Sequence, residues 1–351
     1  MNVLNSSLYL SDIEKATKSL DWIEFPNDKT FLVTGASGLI CSSVVDLLVN
    51  LAQNYKLNWK IFLAGRNEEK IHNRFLKYFN DKNVSFINYE IEGPCHFPSG
   101  INYLIHGAGN AYPAAFVKEP AETLYLNILG MRQVLNYAIQ NKTRVVYISS
   151  SEVYGQLQNN EPITESDSGY IDLLNSRSSY PMGKRAAETL CASFIQEYAA
   201  DCTIVRPGHI YGPTASKEDN RVSSVFMFNA ANGKNLILKS KGEQKRSYCY
   251  CIDCASAIIA TLFKGEIGEA YNISNKNSLC SIKEMAEAFA KSGNVSVNYD
   301  LPSETEKKNF NQMLNSTLNS EKIEKLGWQP SFSKQEGFDH SIKIVKELNL
   351  N

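Results

Sequence analysis

Tyr180-Pro181-Met182-Gly183-Lys184 sets a phenol and an amine four residues apart. In a helix that spacing puts both on one face. An ammonium beside a phenol favours tyrosinate and moves it towards use as a base near neutral pH. Pro181 suits the first turn, where its missing N–H leaves no bond unmade. The pair alone is common and carries no function. Ser149-Ser150-Ser151-Glu152-Val153-Tyr154-Gly155 adds hydroxyls and a carboxylate directly after the apolar run Val145-Val146-Tyr147-Ile148. The hydroxyls then lie at the carboxyl end of a parallel strand, where ligands bind in open α/β sheets. A serine there can hydrogen-bond a substrate hydroxyl and align it with the tyrosine. Serines that only satisfy a turn are the plain alternative, strongest for Ser149.

A second constellation suits an anion. Thr34-Gly35-Ala36-Ser37-Gly38-Leu39-Ile40 follows an apolar strand and opens an apolar helix. Glycines let the backbone turn tightly, and the helix N-terminus offers free N–H groups and a favourable dipole to a pyrophosphate. We therefore assign Gly35, Ser37, Gly38, Leu39 and Ile40 to cofactor binding, with a bare strand–helix turn as the alternative. Cys41 stands where a third glycine would complete the dinucleotide fingerprint, and is expected to push the helix slightly off the sheet. The second strand ends Leu63-Ala64-Gly65-Arg66-Asn67, with no acid to hold an adenosine ribose. Arg66 suits a 2′-phosphate, which leans the cofactor towards NADP; an arginine stacked on adenine or facing solvent leaves NAD open.

These residues need a scaffold, and the sequence predicts one. Strands are expected at Phe31–Thr34, Lys60–Ala64, Val84–Asn88, Tyr103–His106, Arg144–Ser149 and Thr203–Arg206. Helices are expected at Leu39–Asn54, Glu68–Asn80, Pro120–Gln140 and Met182–Ala199. This alternation means a parallel sheet covered on both faces. The fold class is α/β: a Rossmann-type doubly wound parallel sheet with a smaller C-terminal α/β substrate lobe. Residues 1–29 read as a helical extension with apolar Leu10, Ile13, Ala16 and Leu20. Residues 30–206 read as the NAD(P)-binding domain carrying the catalytic residues, and 207–351 as mainly the substrate lobe, with a helix at Ile282–Ala290.

Composition narrows the class. Hydrophobic residues make up 43% and charged residues 21% of 351, with a net charge of −1. That mixture argues against a nucleic-acid or anionic-membrane partner. No apolar run approaches the roughly 18 to 20 residues of a membrane span. The first twenty residues are too polar for a signal peptide. Eight cysteines without a framework spacing fit free thiols, so the cytoplasm is the expected compartment.

Taken together the motifs resemble the extended short-chain dehydrogenase/reductase family, in its NAD-dependent epimerase/dehydratase group of nucleotide-sugar enzymes. The resemblance runs over roughly residues 30 to 340. It also takes in His106-Gly107-Ala108, Asn127, Arg206-Pro207-Gly208-His209-Ile210-Tyr211-Gly212-Pro213, and Arg246 before Tyr250-Cys251-Ile252-Asp253. It implies that His106, Ala108 and Asn127 help hold the nicotinamide cofactor, tightly bound. Ser150 would orient the carbon 4 hydroxyl, Tyr180 would remove its proton, and Lys184 would hold the nicotinamide ribose and lower the Tyr180 pKa. His209, Arg221 and Arg246 would bind the nucleotide diphosphate sugar.

Within the family, common 4,6-dehydratases carry an aspartate–glutamate pair where this chain has Ser151 and Glu152. Serine–glutamate, with an arginine matching Arg246, is closest in motif to UDP-glucuronate decarboxylases; there Arg246 would meet the substrate carboxylate, with a diphosphate clamp as the equal alternative, and Ser151 or Glu152 would donate to the enolate. The resemblance thus implies transient oxidation at carbon 4 and decarboxylation of a nucleotide hexuronate. A 4-epimerase or 4,6-dehydratase is the alternative, and a non-catalytic NADP-sensing protein the reading from another class. Two departures stand out: Phe116 replaces a tyrosine near the substrate, and His209 replaces an asparagine against the diphosphate.

The remaining signals are weak. Cys249, Cys251 and Cys254 are expected as small buried residues, the first and second sharing a strand face, with no metal site. His72, His96 and His340 are expected at the surface or in packing. Lys239, Lys241 and Lys245 could line a diphosphate or simply face solvent. Helices 120–140 and 182–199 keep apolar outer positions; matching helices in relatives form a four-helix dimer interface, which implies a homodimer.

Overall fold

The computed structural model describes residues 2–109, 111, 113–158, 161–300 and 315–350. After helix α1 (Ser7–Lys18) the chain alternates: β1 (Thr30–Thr34), α2 (Leu39–Asn54), β2 (Lys60–Gly65), α3 (Glu68–Phe75), β3 (Val84–Asn88) and β4 (Tyr103–His106). Then come α4 (Pro113–Lys118), α5 (Pro120–Asn141), β5 (Arg144–Ile148), α6 (Ser179–Tyr198), β6 (Cys202–Pro207) and β7 (His209–Tyr211). The last part holds α7 (Val222–Ala231), β8 (Leu236–Leu238), β9 (Lys245–Tyr250), α8 (Cys251–Lys264), β10 (Ala270–Ile273), β11 (Leu279–Ser281) and α9 (Ile282–Gly293). Strands β12 (Val297–Tyr299) and β13 (Asn315–Ser316) and the helices Glu321–Lys325 and Lys334–Leu350 complete the described chain.

The main sheet has seven strands in the order β10-β6-β5-β4-β1-β2-β3, and every pairing is parallel. Its inner strands are short apolar runs, as burial on both faces requires. The order reverses between β1 and β4, the crevice where doubly wound sheets bind ligands. The register pairs Thr34 with His106, so the glycine loop and the segment after β4 leave the sheet side by side. Residues after 207 are not confined to a second lobe: β10 adds the outer strand next to β6, and α8 packs on α2.

A second sheet is built on β9. Antiparallel β11 pairs with its first half, as does β13, and β7 pairs with its second half. The pairings set His209 opposite Tyr248 and Arg246 opposite Cys280. Cys251 begins α8 rather than continuing the strand, so it does not share a strand face with Cys249 as the alternation suggested. Cys249, Cys251 and Cys254 are all buried.

The N-terminal helix is part of the core. Tyr9, Ile13 and Ala16 are buried, whereas Leu10 is 44% exposed. Ile13, Ala16 and Leu20 keep the expected inward positions, and only Leu10 gives way, because the bulky Tyr9 takes the inward position beside it. The Tyr9 hydroxyl donates to Asp46 on α2 at 2.5 Å, and Asp46 is also paired with Arg74. Asp12 accepts from the Tyr250 hydroxyl at 3.0 Å and meets His340 Nδ1 at 2.9 Å. Ser6 donates to Glu347 at 2.5 Å. These bonds tie α1 to the cofactor half and to the C-terminal helix together. Helix α3 ends five residues before the expected Asn80, and α6 begins three residues early, which brings Tyr180 inside its first turn.

Candidate active site

The turn after β1 has the shape a pyrophosphate needs. Gly35 has φ +68°, and a β-carbon there would lie 2.8 Å from the Gly107 carbonyl oxygen. Gly38 caps α2 with no side-chain bond to the first turn, so the opening N–H groups of Leu39 and Ile40 point out of the helix as donors. Ser37 lies half-buried in the same turn. Cys41 follows, 3% exposed, and a β-carbon on Gly107 would sit 2.3 Å from its sulfur. The third glycine of the fingerprint has in effect moved across the crevice to position 107.

Thr34, which opens the glycine motif but was given no role of its own, organises the next layer. Its hydroxyl accepts from the backbone N–H groups of Gly107 and Ala108 at 3.2 and 3.3 Å. It lies 2.8 Å from His106 Nδ1. Burial, with Lys184 adding to it, holds His106 down at about 3, so the ring is neutral. The Thr34 proton then goes to Nδ1 and the ring proton sits on Nε2. Asn127 on α5 is buried, and its amide donates to the Thr123 carbonyl at 2.7 Å. Gly183 lets α6 come this close: a β-carbon there would lie 3.2 Å from that of Asn127. Arg66 stands exposed just after β2.

The catalytic candidates meet at the ends of β5 and α6. Lys184 is buried and donates to the Ile148 carbonyl at 2.8 Å, with its ammonium 4.8 Å from the Tyr147 ring centroid. Desolvation pulls it down to about 8. Tyr180 is 7% exposed, and burial followed by the Glu152 carboxylate pushes it up to about 12, against a hydrogen bond from Ser150 and the charges of Arg221 and Arg177. Burial is the largest influence on this phenol, ahead of the charges around it. Lys184 Nζ is 5.9 Å from the ring centroid and spends a hydrogen bond on Ile148. Ser150 caps the 3₁₀ turn Ser151–Tyr154 by accepting from the Glu152 N–H at 3.2 Å. The buried Ser149 hydroxyl, just after β5, has no hydrogen-bond partner among the described residues.

Two aromatic and charged neighbours complete this end. Phe116 lies flat on Tyr180, with centroids 4.2 Å apart and planes 14° apart. Arg177 pairs with Glu152 at 3.0 Å. Sequence reading passed over Arg177, although a carboxylate beside a would-be base is itself a reason to look for its counter-charge.

His209, Arg221 and Arg246 form a separate group. Burial, Arg246 and Arg221 together hold His209 down at about 3. Its Nδ1 is buried without a hydrogen-bond partner among the described residues. Arg246 is 5% exposed and donates to the Lys245 carbonyl at 2.8 Å. Arg221 forks onto Asp219 at 2.9 and 3.0 Å from its Nε. A neutral imidazole with an idle nitrogen between two guanidinium groups suits a dianionic diphosphate. Lys239, Lys241 and Lys245 are exposed. His72 stacks on Phe79, and His340 packs against Asp12.

The residues present therefore fit a dinucleotide. The β1–α2 turn offers amides, Lys184 and the orphaned Ser149 offer polar atoms at the carboxyl ends of the strands, and Gly35 and Gly107 leave room for close approach. The family model for the NAD dependent epimerase/dehydratase family matches residues 31–274. UDP-glucuronic acid decarboxylase 1 of Xenopus tropicalis is 26% identical over 327 residues, covering 91% of this chain and 72% of that protein. UDP-glucuronic acid decarboxylase 6 of Arabidopsis thaliana is 29% identical over 263 residues, 75% and 74% of the two chains. Among solved structures, the UDP-glucose 4-epimerase of Thermotoga maritima with UDP-glucose superposes with a TM-score of 0.76 at 22% identity, covering 91% of this chain and 99% of that one. The UDP-glucuronic acid 4-epimerase of Bacillus cereus, in complex with UDP-glucuronic acid and NAD, gives 0.75 at 21% identity over 91% and 99%. Both share the fold.

Proposed function

The chain belongs to the NAD dependent epimerase/dehydratase family, and on that premise we propose that it decarboxylates a nucleotide hexuronate such as UDP-glucuronate through transient oxidation at carbon 4. The observation that carries this reading is Ser151 beside a Glu152 whose carboxylate is already paired with Arg177. A hydroxyl is a poor general acid, so protonation of a leaving hydroxyl, which dehydration needs, has no donor at position 151. The names of the curated relatives add support.

The β1–α2 turn, with Gly35, Ser37, Gly38, Leu39 and Ile40, would hold the pyrophosphate of NAD, and His106, Ala108, Asn127 and Lys184 its nicotinamide half. Bound NAD supplies the hydride acceptor that converts the carbon 4 alcohol to a ketone and later returns the hydride. Ser150 aligns the hydroxyl and Tyr180 takes its proton. The 4-keto acid then loses carbon dioxide as the carbon 5–carbon 6 bonding pair moves into an enolate on the carbon 4 oxygen. Tyr180, now protonated, donates to that oxygen, and a proton taken up at carbon 5 from solvent restores the ketone before the hydride returns. His209, Arg221 and Arg246 hold the diphosphate. Arg66, exposed just after β2, is the candidate partner for a 2′-phosphate, so NADP is weighed against the NAD of the family's description by comparing the two affinities. A homodimer belongs to the same reading, supported by exposed Leu124 and Tyr125 on α5 and Tyr198 on α6.

The test is incubation of the purified protein with UDP-, GDP-, CDP- and dTDP-sugars, followed by mass spectrometry and absorbance of the reduced nicotinamide. Carbon dioxide loss from a hexuronate supports the proposal. Water loss, an isomer of unchanged mass, or binding without turnover would instead give a dehydratase, an epimerase or a sensor.

A further inference from the structure

Four side chains form a continuous stack from Glu152 to Tyr180. The Arg177 guanidinium donates to Glu152 at 3.0 Å and lies over the Phe116 ring, 4.8 Å from its centroid. Phe116 covers Tyr180 on its other face at 4.2 Å. Separate segments supply the members: the turn Ser151–Tyr154, the turn Ser176–Ser178, α4 and α6. We infer that Arg177 is a positioning residue for the oxidation at carbon 4. Through Phe116 it fixes the plane of the Tyr180 ring, and through Glu152 it cancels a negative charge that faces the phenol.

A flat aromatic pair is a poor arrangement for two electron-rich faces. A cation over the far face of Phe116 draws its π density away, so the near face accepts the phenol and, better still, the phenolate. A Coulombic effect acts beside it. Around Tyr180 stand Glu152, Arg177 and Arg221, with Lys184 on its own helix and Tyr147 on β5. Glu152 opposes ionisation of the phenol. Pairing with Arg177 reduces that opposition without removing the carboxylate from the substrate side. Phe116, at the position where the resemblance leads one to expect a tyrosine, has therefore not lost a role: it is the plate between the cation and the base.

This rests on the reading of Tyr180 as the base, and the test separates the two. 3,5-Difluorotyrosine at position 180, with its more acidic phenol, is titrated by fluorine NMR in the NAD-loaded full-length protein without substrate. Arg177→Gln should raise the titration midpoint by about one pH unit. Adding Glu152→Gln should bring it back towards the unsubstituted protein, because the uncompensated charge is gone. Arg177→Lys keeps the charge and loses the flat face. Its midpoint should stay near that of the parent while the rate of nicotinamide reduction falls about tenfold at unchanged KM. An unmoved midpoint in Arg177→Gln, or a double variant as displaced as the single, overturns the proposal. Full activity in Tyr180→Phe would overturn the base assignment alone.

Discussion

The sulfur of Cys41 occupies the space that a β-carbon on Gly107 would need: the two would be 2.3 Å apart. The fingerprint glycine missing from α2 is thus compensated by one after β4. Gly107→Ala should destabilise the protein by about 1–3 kcal/mol and weaken cofactor binding, as overpacking does. Cys41→Gly in the same chain should restore both. Thermal unfolding with and without NAD checks this; a double variant no better than Gly107→Ala would mean the clash lies elsewhere.

Lys184 gives a pH-dependent signature. Its amine is depressed to about 8 in the folded chain against an ordinary value of 10.5. Between those limits the unfolded state binds the extra proton, so stability rises with pH across that window. Below about 8 the folded state carries the full cost of a buried ammonium. Lys184→Met should therefore gain on the parent protein at neutral pH, and the gain should shrink by up to about 3 kcal/mol as pH rises to 10.5. Denaturant unfolding of both proteins across that range measures it, without cofactor. A difference independent of pH would contradict the depressed amine.

His209 should take up a proton when a nucleotide diphosphate binds. Burial first, and then Arg246 and Arg221, hold it neutral; a dianion at the two guanidinium groups removes the second cause while offering an acceptor. Titration calorimetry of UDP in buffers of different ionisation heat should show proton uptake near pH 6 for the parent protein. His209→Asn should show none.

Ile13 and Leu10 test the role of α1 in the core. Ile13 is 1% exposed and Leu10 is 44% exposed. Ile13→Ala should cost about 2–4 kcal/mol, and Leu10→Ala less than about 0.5. Equal costs would contradict the packing of this helix between α2 and the C-terminal helix.

Much of this molecule was legible in the sequence. The order of strands β1 to β6 followed from apolar runs alternating with helical patterns, since parallel strands are buried on both faces. Tyr180 and Lys184 were found because helical spacing survives in sequence. Arg177 and Thr34 were not, for physical reasons. Arg177 comes from a 3₁₀ turn with no period, and its partners Glu152 and Phe116 lie on other segments. Thr34 reads as the last residue of a strand until the register sets it beside His106. The bond from Lys184 to the Ile148 carbonyl was not legible either, because spacing predicts nearness of the amine to Tyr180 but not which acceptor it takes. Leu10 was misplaced because helical period alone does not choose between adjacent apolar positions.

The central claim is tested most directly with UDP-glucuronate labelled with ¹³C at the carboxyl carbon, incubated with the NAD-loaded protein. The label should leave as carbon dioxide, no reduced nicotinamide should accumulate, and Tyr180→Phe should abolish both release and transient reduction. Label retained in a nucleotide sugar of unchanged mass, or in one lighter by water, would contradict it.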